Sequence, residues 1–100
     1  MLADLRSDDF AGLVNERFHV HAGAGVPLDA ELVEVTDLEP PRAAEPGRAD
    51  PFSILLRVTG DAPLPQRIYE VEHPRLGTLS LFLVPIGRED GSFLYEAVFN

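Results

Sequence analysis

The residue types that the sequence lacks narrow the possible classes of protein. Its 100 residues include no cysteine, no tryptophan and no lysine. Without cysteine the chain can form neither a disulfide nor a thiolate metal site. No apolar run approaches the roughly 20 residues of a membrane-spanning helix, and the N-terminus lacks the basic stretch and apolar run of a secretion signal. We therefore predict a soluble, cytoplasmic protein.

Positive charge is also scarce. Seventeen acidic residues face eight basic ones, all arginine, so that the net charge is −9 and the isoelectric point about 4.5. Such a charge opposes binding to nucleic-acid phosphates and to anionic membranes, and we expect neither partner. The chain has 100 residues, of which 45% are hydrophobic, and this is enough to form a single domain around one hydrophobic core.

One helix and six strands are predicted from the periodicity of apolar residues. Ser7 is the predicted N-cap, and Phe10, Leu13 and Val14 follow on one helical face. Apolar and polar residues then alternate, as in strands, over six segments. The segments are 16–21, 28–35, 52–58, 68–73, 78–86 and 93–99. The alternation changes phase at Leu32–Val33, which indicates a β-bulge or a sharp bend.

These elements predict an all-β fold with one short N-terminal helix. Residues 39–51 hold four of the nine prolines and no large apolar side chain, so we predict a flexible internal loop there. The remaining segments favour a single domain over residues 1–100, either a small six-stranded antiparallel barrel or a tight sandwich. The barrel is preferred because closure removes open sheet edges.

The last forty residues carry the most specific motifs of the chain. They include YEVEHP at 69–74, LFLVPIG at 81–87 and the ending YEAVFN at 95–100, and they are preceded by FSILLR at 52–57. Together these segments resemble an uncharacterised family of short bacterial domains of unknown function. The resemblance implies a complete domain and a weak association with phage-tail-like gene neighbourhoods. It implies no activity, so no catalytic residue is transferred.

The three histidines are the candidate metal ligands. His19 and His21 are two residues apart on a predicted strand, so both rings project from one face, and His73 could supply a third ligand. Phe18 and Val20 occupy the opposite parity, which predicts that the pair faces solvent. We therefore expect no metal site and no cofactor. The proline after His73 predicts that this residue ends a strand and hydrogen-bonds a turn.

No residue set points to catalysis. The serines lack the glycines of a nucleophile elbow, and the glycines at 23 and 25 do not open a helix after a strand, as a phosphate-binding loop requires. Glu96 stands between Leu94 and Val98 in an otherwise apolar strand. Glu96 and Arg57 are the candidates for a structural ion pair, unless Glu96 points into a polar mouth. We expect the protein not to be an enzyme.

The last two strands are apolar on both parities, and this excess is the strongest functional signal. One parity must serve the core, whereas the other needs the short helix or a partner to cover it. The candidate interaction surface comprises Phe82, Val84, Ile86, Phe93, Tyr95 and Phe99. We hypothesise a non-enzymatic structural or adaptor domain acting through protein–protein contact or self-association, within a phage-tail-like assembly. The alternative is a small-molecule- or metal-binding β-barrel.

Overall fold

A computed structural model describes residues 5–23, 25, 27–38, 51–60 and 62–99 of the protein. They form α1 (Ser7–Ala11), β1 (Arg17–His21), β2 (Leu28–Asp37), β3 (Phe52–Thr59), β4 (Arg67–His73), β5 (Gly77–Glu89) and β6 (Ser92–Phe99). The strands close into an antiparallel barrel in the order β1-β2-β3-β6-β5-β4. The predicted all-β barrel with one short helix is therefore confirmed. None of the helical segments in the described part of the chain has the length and apolarity needed to cross a membrane.

A β-bulge in β2 keeps the apolar residues of this long strand inside the barrel. Leu32 pairs with Leu56, but Glu34 pairs with Leu55, so the register shifts by one residue at Val33. A bulge of this kind moves the inward parity from even to odd residues. The phase change predicted at Leu32–Val33 is thus confirmed as a bulge.

Up to the register shift of β5 between Pro85 and Gly87, only the odd residues of the final hairpin point inward, and this corrects half of the candidate surface. Leu81 and Leu83 of β5 are buried, whereas Phe82 between them is exposed. On β6 the odd residues are buried, and they include Phe93, Tyr95 and Phe99. The prediction that these three residues belong to an interaction surface is therefore wrong, because strict alternation on β6 directs their rings into the core.

The helix closes one end of the barrel. The N-cap residue is Arg6 and not, as predicted, Ser7. The backbone N–H of Arg6 donates to Asp9 Oδ2 at 2.8 Å. The fully buried Phe10 ring lies 5.3 to 6.5 Å from the rings of Phe18, Phe52 and Phe99. The ring thus packs on inward side chains of β1, β3 and β6. Phe82, Ile86 and Val98 stay exposed, so the helix does not cover the outer face of the final hairpin, which is one of the two possibilities that the sequence leaves open.

The segment between β3 and β4 lies at the opposite end of the barrel. The Leu64 N–H donates to the Tyr95 hydroxyl at 2.7 Å, and the Tyr69 hydroxyl donates to the Pro65 carbonyl at 2.6 Å. Both buried phenols thereby find the partners that their polar atoms require. Of the predicted loop at 39–51, residues 39–50 lie outside the described residues. Pro51 is buried, and its carbonyl accepts the Leu38 N–H at 2.9 Å.

Candidate functional site

The outer surface of β1 and β2 is charged. Residues that alternate with the core positions of these strands point to solvent, and they include Arg17, His19, Asp29, Glu31 and Glu34. Asp29 lies 3.7 Å from the Arg17 guanidinium and 3.3 Å from His19 Nδ1. These exposed pairs contribute little to stability, but they make this side of the barrel a solvated, polar surface.

Each histidine is paired with a different carboxylate. His19 contacts Asp29, and His21 contacts Glu72 through Nε2. The predicted outward direction of His19 and His21 is confirmed, since Phe18 and Val20 are fully buried. Within the described ranges of the chain, no group of three or more His, Asp or Glu side chains is arranged to hold a metal ion. The structure therefore does not bring the three predicted ligands together.

His73 is a buried structural residue rather than an accessible base. Its Nδ1 accepts the Arg75 N–H at 3.1 Å, and its Nε2 lies 2.9 Å from Glu16 Oε1. An Nδ1 that accepts a hydrogen bond carries no proton, so Nε2 is the nitrogen that donates to Glu16. Both ring nitrogens are engaged. The bond to Arg75 also confirms that His73 bonds the turn after β4.

The same histidine borders a shallow depression beside the seam between β1 and β4. The depression has a volume of about 210 Å³ and is lined by His19, Glu72, His73, Pro74 and Gly77. Both histidines and Glu72 already contact other side chains of the domain, as described above. The depression therefore presents no set of uncommitted polar groups converging on one point, which a small-molecule site needs.

Arg57 joins three strands on the outer surface. Its Nη1 donates to Glu31 Oε1 and its Nε to Glu89 Oε1, both at 2.9 Å. The hydrogen bond and charge of Glu89, followed by those of Glu31, raise the pKa of the guanidinium above its ordinary value. Arg57 thus forms the expected structural ion pairs, but with Glu31 and Glu89 and not with Glu96. The register explains this, because Arg57 lies opposite Glu31 and Leu94, whereas Glu96 lies opposite Leu55.

Part of the outer surface of β4, β5 and β6 is apolar. Four large hydrophobic side chains are exposed there: Ile68 by 66%, Ile86 by 53%, Val98 by 50% and Phe82 by 48%. Ile68 and Phe82 are direct cross-strand partners. Half-buried neighbours on the same outward parity extend the surface to β3. We call this set the apolar face; its members are Leu55, Ile68, Phe82, Val84, Ile86, Leu94 and Val98.

Glu96 lies inside the apolar face. Its cross-strand partners are Leu55 on β3 and Val84 on β5, and Leu94 and Val98 are its same-face neighbours along β6. Glu96 as a whole residue is half-buried. Among the residues that the structure describes, it has neither a hydrogen-bonded side chain nor a basic side chain within ion-pair distance. The ion pair predicted for Glu96 is therefore not formed within the described part of the domain.

Sequence reasoning missed four members of this face: Leu55, Ile68, Leu94 and Val98. It also combined outward and inward residues of the final hairpin in one surface. Polar residues in the same strands could have identified the outward parity, because a serine or a carboxylate in a strand usually points to solvent. Ser80 marks the outward parity of β5, which includes Phe82, and Glu96 marks that of β6, which includes Val98.

These features define a small, closed, antiparallel β-barrel domain with a charged side and an apolar side. The chain belongs to the family described as "Domain of unknown function (DUF6916)", whose model matches residues 5–99. The resemblance noted in the sequence to an uncharacterised domain family is thereby confirmed. Neither a curated protein nor a solved structure matches the chain.

Proposed function

We propose that this domain is a binding module that acts through protein–protein contact, with the apolar face as its contact surface. The observation that supports the proposal is the exposure of Ile68 and Phe82, directly paired across β4 and β5 and uncovered by the helix. Single exposed hydrophobic residues are ordinary on protein surfaces. A set that spans four adjacent strands is typical of a surface that a partner covers.

The core packing favours this proposal over a ligand-binding barrel. Large side chains converge in the interior, among them Phe18, Leu32, Leu56, Leu83 and Tyr95. Phe10 lies at one end of the barrel, and the Leu64–Pro65 segment lies at the other. The histidines are bound to carboxylates of the domain itself, which also favours binding by an outer face over catalysis or metal binding.

Site-specific photo-crosslinking tests the proposal. The photoreactive residue p-benzoylphenylalanine is placed at Phe82 in one variant and at Asp29 in another, and each variant is irradiated in extract of the native host. Asp29 is a matched control because it is exposed on β2, its cross-strand partner is His19 on β1, and β2 lies opposite β5 in the six-strand ring. We expect a discrete crosslinked protein from position 82 only.

Two further arms decide between the possible outcomes. Ile68→Ser should abolish the crosslink from position 82 while the melting temperature stays close to that of the parent. Equal crosslinking from positions 82 and 29, or a crosslink unaffected by Ile68→Ser, would contradict the proposal. The identity of the crosslinked protein, whether a second copy, a component of a phage-tail-like particle or another protein, then defines the assembly.

A further inference from the structure

We propose that the partner of the apolar face is a protein segment in which an arginine or lysine is flanked by apolar side chains, and that this basic residue pairs with Glu96. The inference rests on the proposed function and specifies the chemistry of its partner. It follows from the position of Glu96, a half-buried acidic residue framed by Leu55 and Val84 across the strands and by Leu94 and Val98 along β6.

A purely apolar partner would bind this surface poorly. Covering the four framing side chains would remove the remaining water from the Glu96 carboxylate. Burying an unpaired charge is costly unless an opposite charge and hydrogen bonds replace the lost water. A basic side chain at this point of the partner meets that requirement, and its apolar neighbours would contact the rest of the face.

The arginines of the neighbouring strands are engaged elsewhere. Arg57 is held by Glu31 and Glu89. The guanidinium of Arg67 lies 5.2 Å from the centroid of the Tyr69 ring, and that of Arg88 lies 5.9 Å from the centroid of Phe93. Arg57 is also outnumbered by its two carboxylates, so it leaves a net negative charge beside the apolar face. The surface is therefore complementary to a cation.

The same charge disfavours a second copy of this chain as the occupant. A two-fold contact centred on the apolar face would place the two Glu96 carboxylates close to one another, because such a contact applies one patch to itself. Each chain also carries a net charge of −9, which adds long-range repulsion. The electrostatics thus favour a different, basic protein segment.

Selection from a random peptide library tests the inference with a defined probe. Twelve-residue peptides displayed on phage are selected on the domain, and sequences that also bind a Phe82→Ser variant are removed. We expect the remaining peptides to share one arginine or lysine between apolar residues. A synthetic copy of the most enriched peptide, and a second copy with norleucine at the basic position, are then titrated by isothermal calorimetry.

The titrations compare two charge-neutralising variants. Glu96→Gln should weaken binding of the basic peptide about 10-fold or more, as expected for a close charge pair at an interface. Asp29→Asn, which removes a charge at the β1–β2 seam, where the cross-strand partner of Asp29 is His19, should change it less than about 2-fold. The norleucine peptide should bind wild type as weakly as the basic peptide binds Glu96→Gln. The norleucine peptide should bind Glu96→Gln with little further loss of affinity, because both changes remove the same charge pair.

The outcomes separate this inference from the proposed function. Peptides that depend on Phe82 but share no basic residue would overturn the inference and leave the proposed function standing. The same conclusion follows if Glu96→Gln binds as well as wild type, or if the Glu96→Gln and Asp29→Asn variants lose affinity equally. If selection yields no peptide that distinguishes wild type from Phe82→Ser, both the inference and the proposed function fail.

Discussion

The β1–β2 side and the β4–β5–β6 side of the barrel follow the same alternation of inward and outward residues, but they expose opposite chemistry. The first exposes arginine, histidine and carboxylates that pair with one another, such as Arg17 with Asp29. The second exposes Ile68, Phe82, Ile86 and Val98, with the carboxylate of Glu96 set among apolar neighbours. Both sides have a buried inner face, so the folding of the barrel does not require the second side to be apolar.

This difference indicates that the two sides are under different physical demands. Outward polar residues on a barrel keep the domain in solution. Outward apolar residues add nothing to the core that Leu81, Leu83 and Tyr95 already form from the same strands. The proposed function assigns the apolar face a contact outside the domain, and single-residue variants can test the difference between the two sides.

The largest expected effect separates two phenylalanines of the chain. Phe10→Ala should lower the free energy of unfolding by about 3–5 kcal/mol, because it removes a fully buried ring and leaves a cavity at the barrel end. Phe82→Ala, the matched control, should change it by less than about 1 kcal/mol, because Phe82 is half-exposed. Chemical denaturation measures both. A similar loss in the two variants would show that Phe82 is part of the core.

A second comparison uses adjacent residues on opposite faces of β5. Leu83→Ala should cost about 2–5 kcal/mol, because the side chain is fully buried and its removal opens a cavity. Phe82→Ala should weaken the peptide binding and crosslinking described above, which Leu83→Ala should preserve under conditions where it stays folded. If the effects of the two variants on stability and binding are reversed, the assignment of the inward parity of β5 is contradicted.

A smaller effect is expected where a buried phenol reaches the barrel end. Tyr95→Phe should lower the free energy of unfolding by about 1 kcal/mol, because the Leu64 N–H loses its acceptor while the ring stays in place. The effect can be measured by thermal melting together with amide exchange at Leu64. Faster exchange at Leu64 without global unfolding would confirm the bond. Unchanged exchange would show that water replaces the hydroxyl.

The smallest expected effect concerns the ion pairs of Arg57. Arg57→Gln should lower the melting temperature slightly at low ionic strength, and the difference should shrink in about 1 M salt, where exposed charges are screened. The pKa of Arg57 is raised, so the guanidinium stays charged at neutral and acidic pH. Its contribution to the free energy of unfolding should therefore persist there as long as Glu31 and Glu89 stay ionised. A loss that is equal at both salt concentrations would point to the packing of the side-chain stem instead.

Much of the fold could be predicted from local patterns. The strict alternation from Phe52 to Val58 predicts a strand with one inward face, and the phase change at Leu32–Val33 predicts the bulge; the structure confirms both. The candidate site could be predicted only in part. The prediction of an outer surface is correct for Phe82, Val84 and Ile86 but wrong for Tyr95. Apolar residues occupy both parities of the last hairpin, so the alternation of apolar and polar residues that would reveal the inward face is missing there.

The sequence by itself determined the residues that form strands, the bulge in β2 and the acidic character of the surface, because a period of two and a net charge are properties of the chain alone. Only the tertiary structure decided that Arg57 pairs with Glu31 and Glu89, which are 26 and 32 residues away, and that Glu96 lies between Leu55 and Val84. It also decided that Phe10 closes the barrel end rather than covering the final hairpin. These arrangements depend on the register between strands that are distant in sequence. Alternation within a single strand excludes registers that would turn its apolar residues outward, but it does not select which strand or which residue becomes the partner.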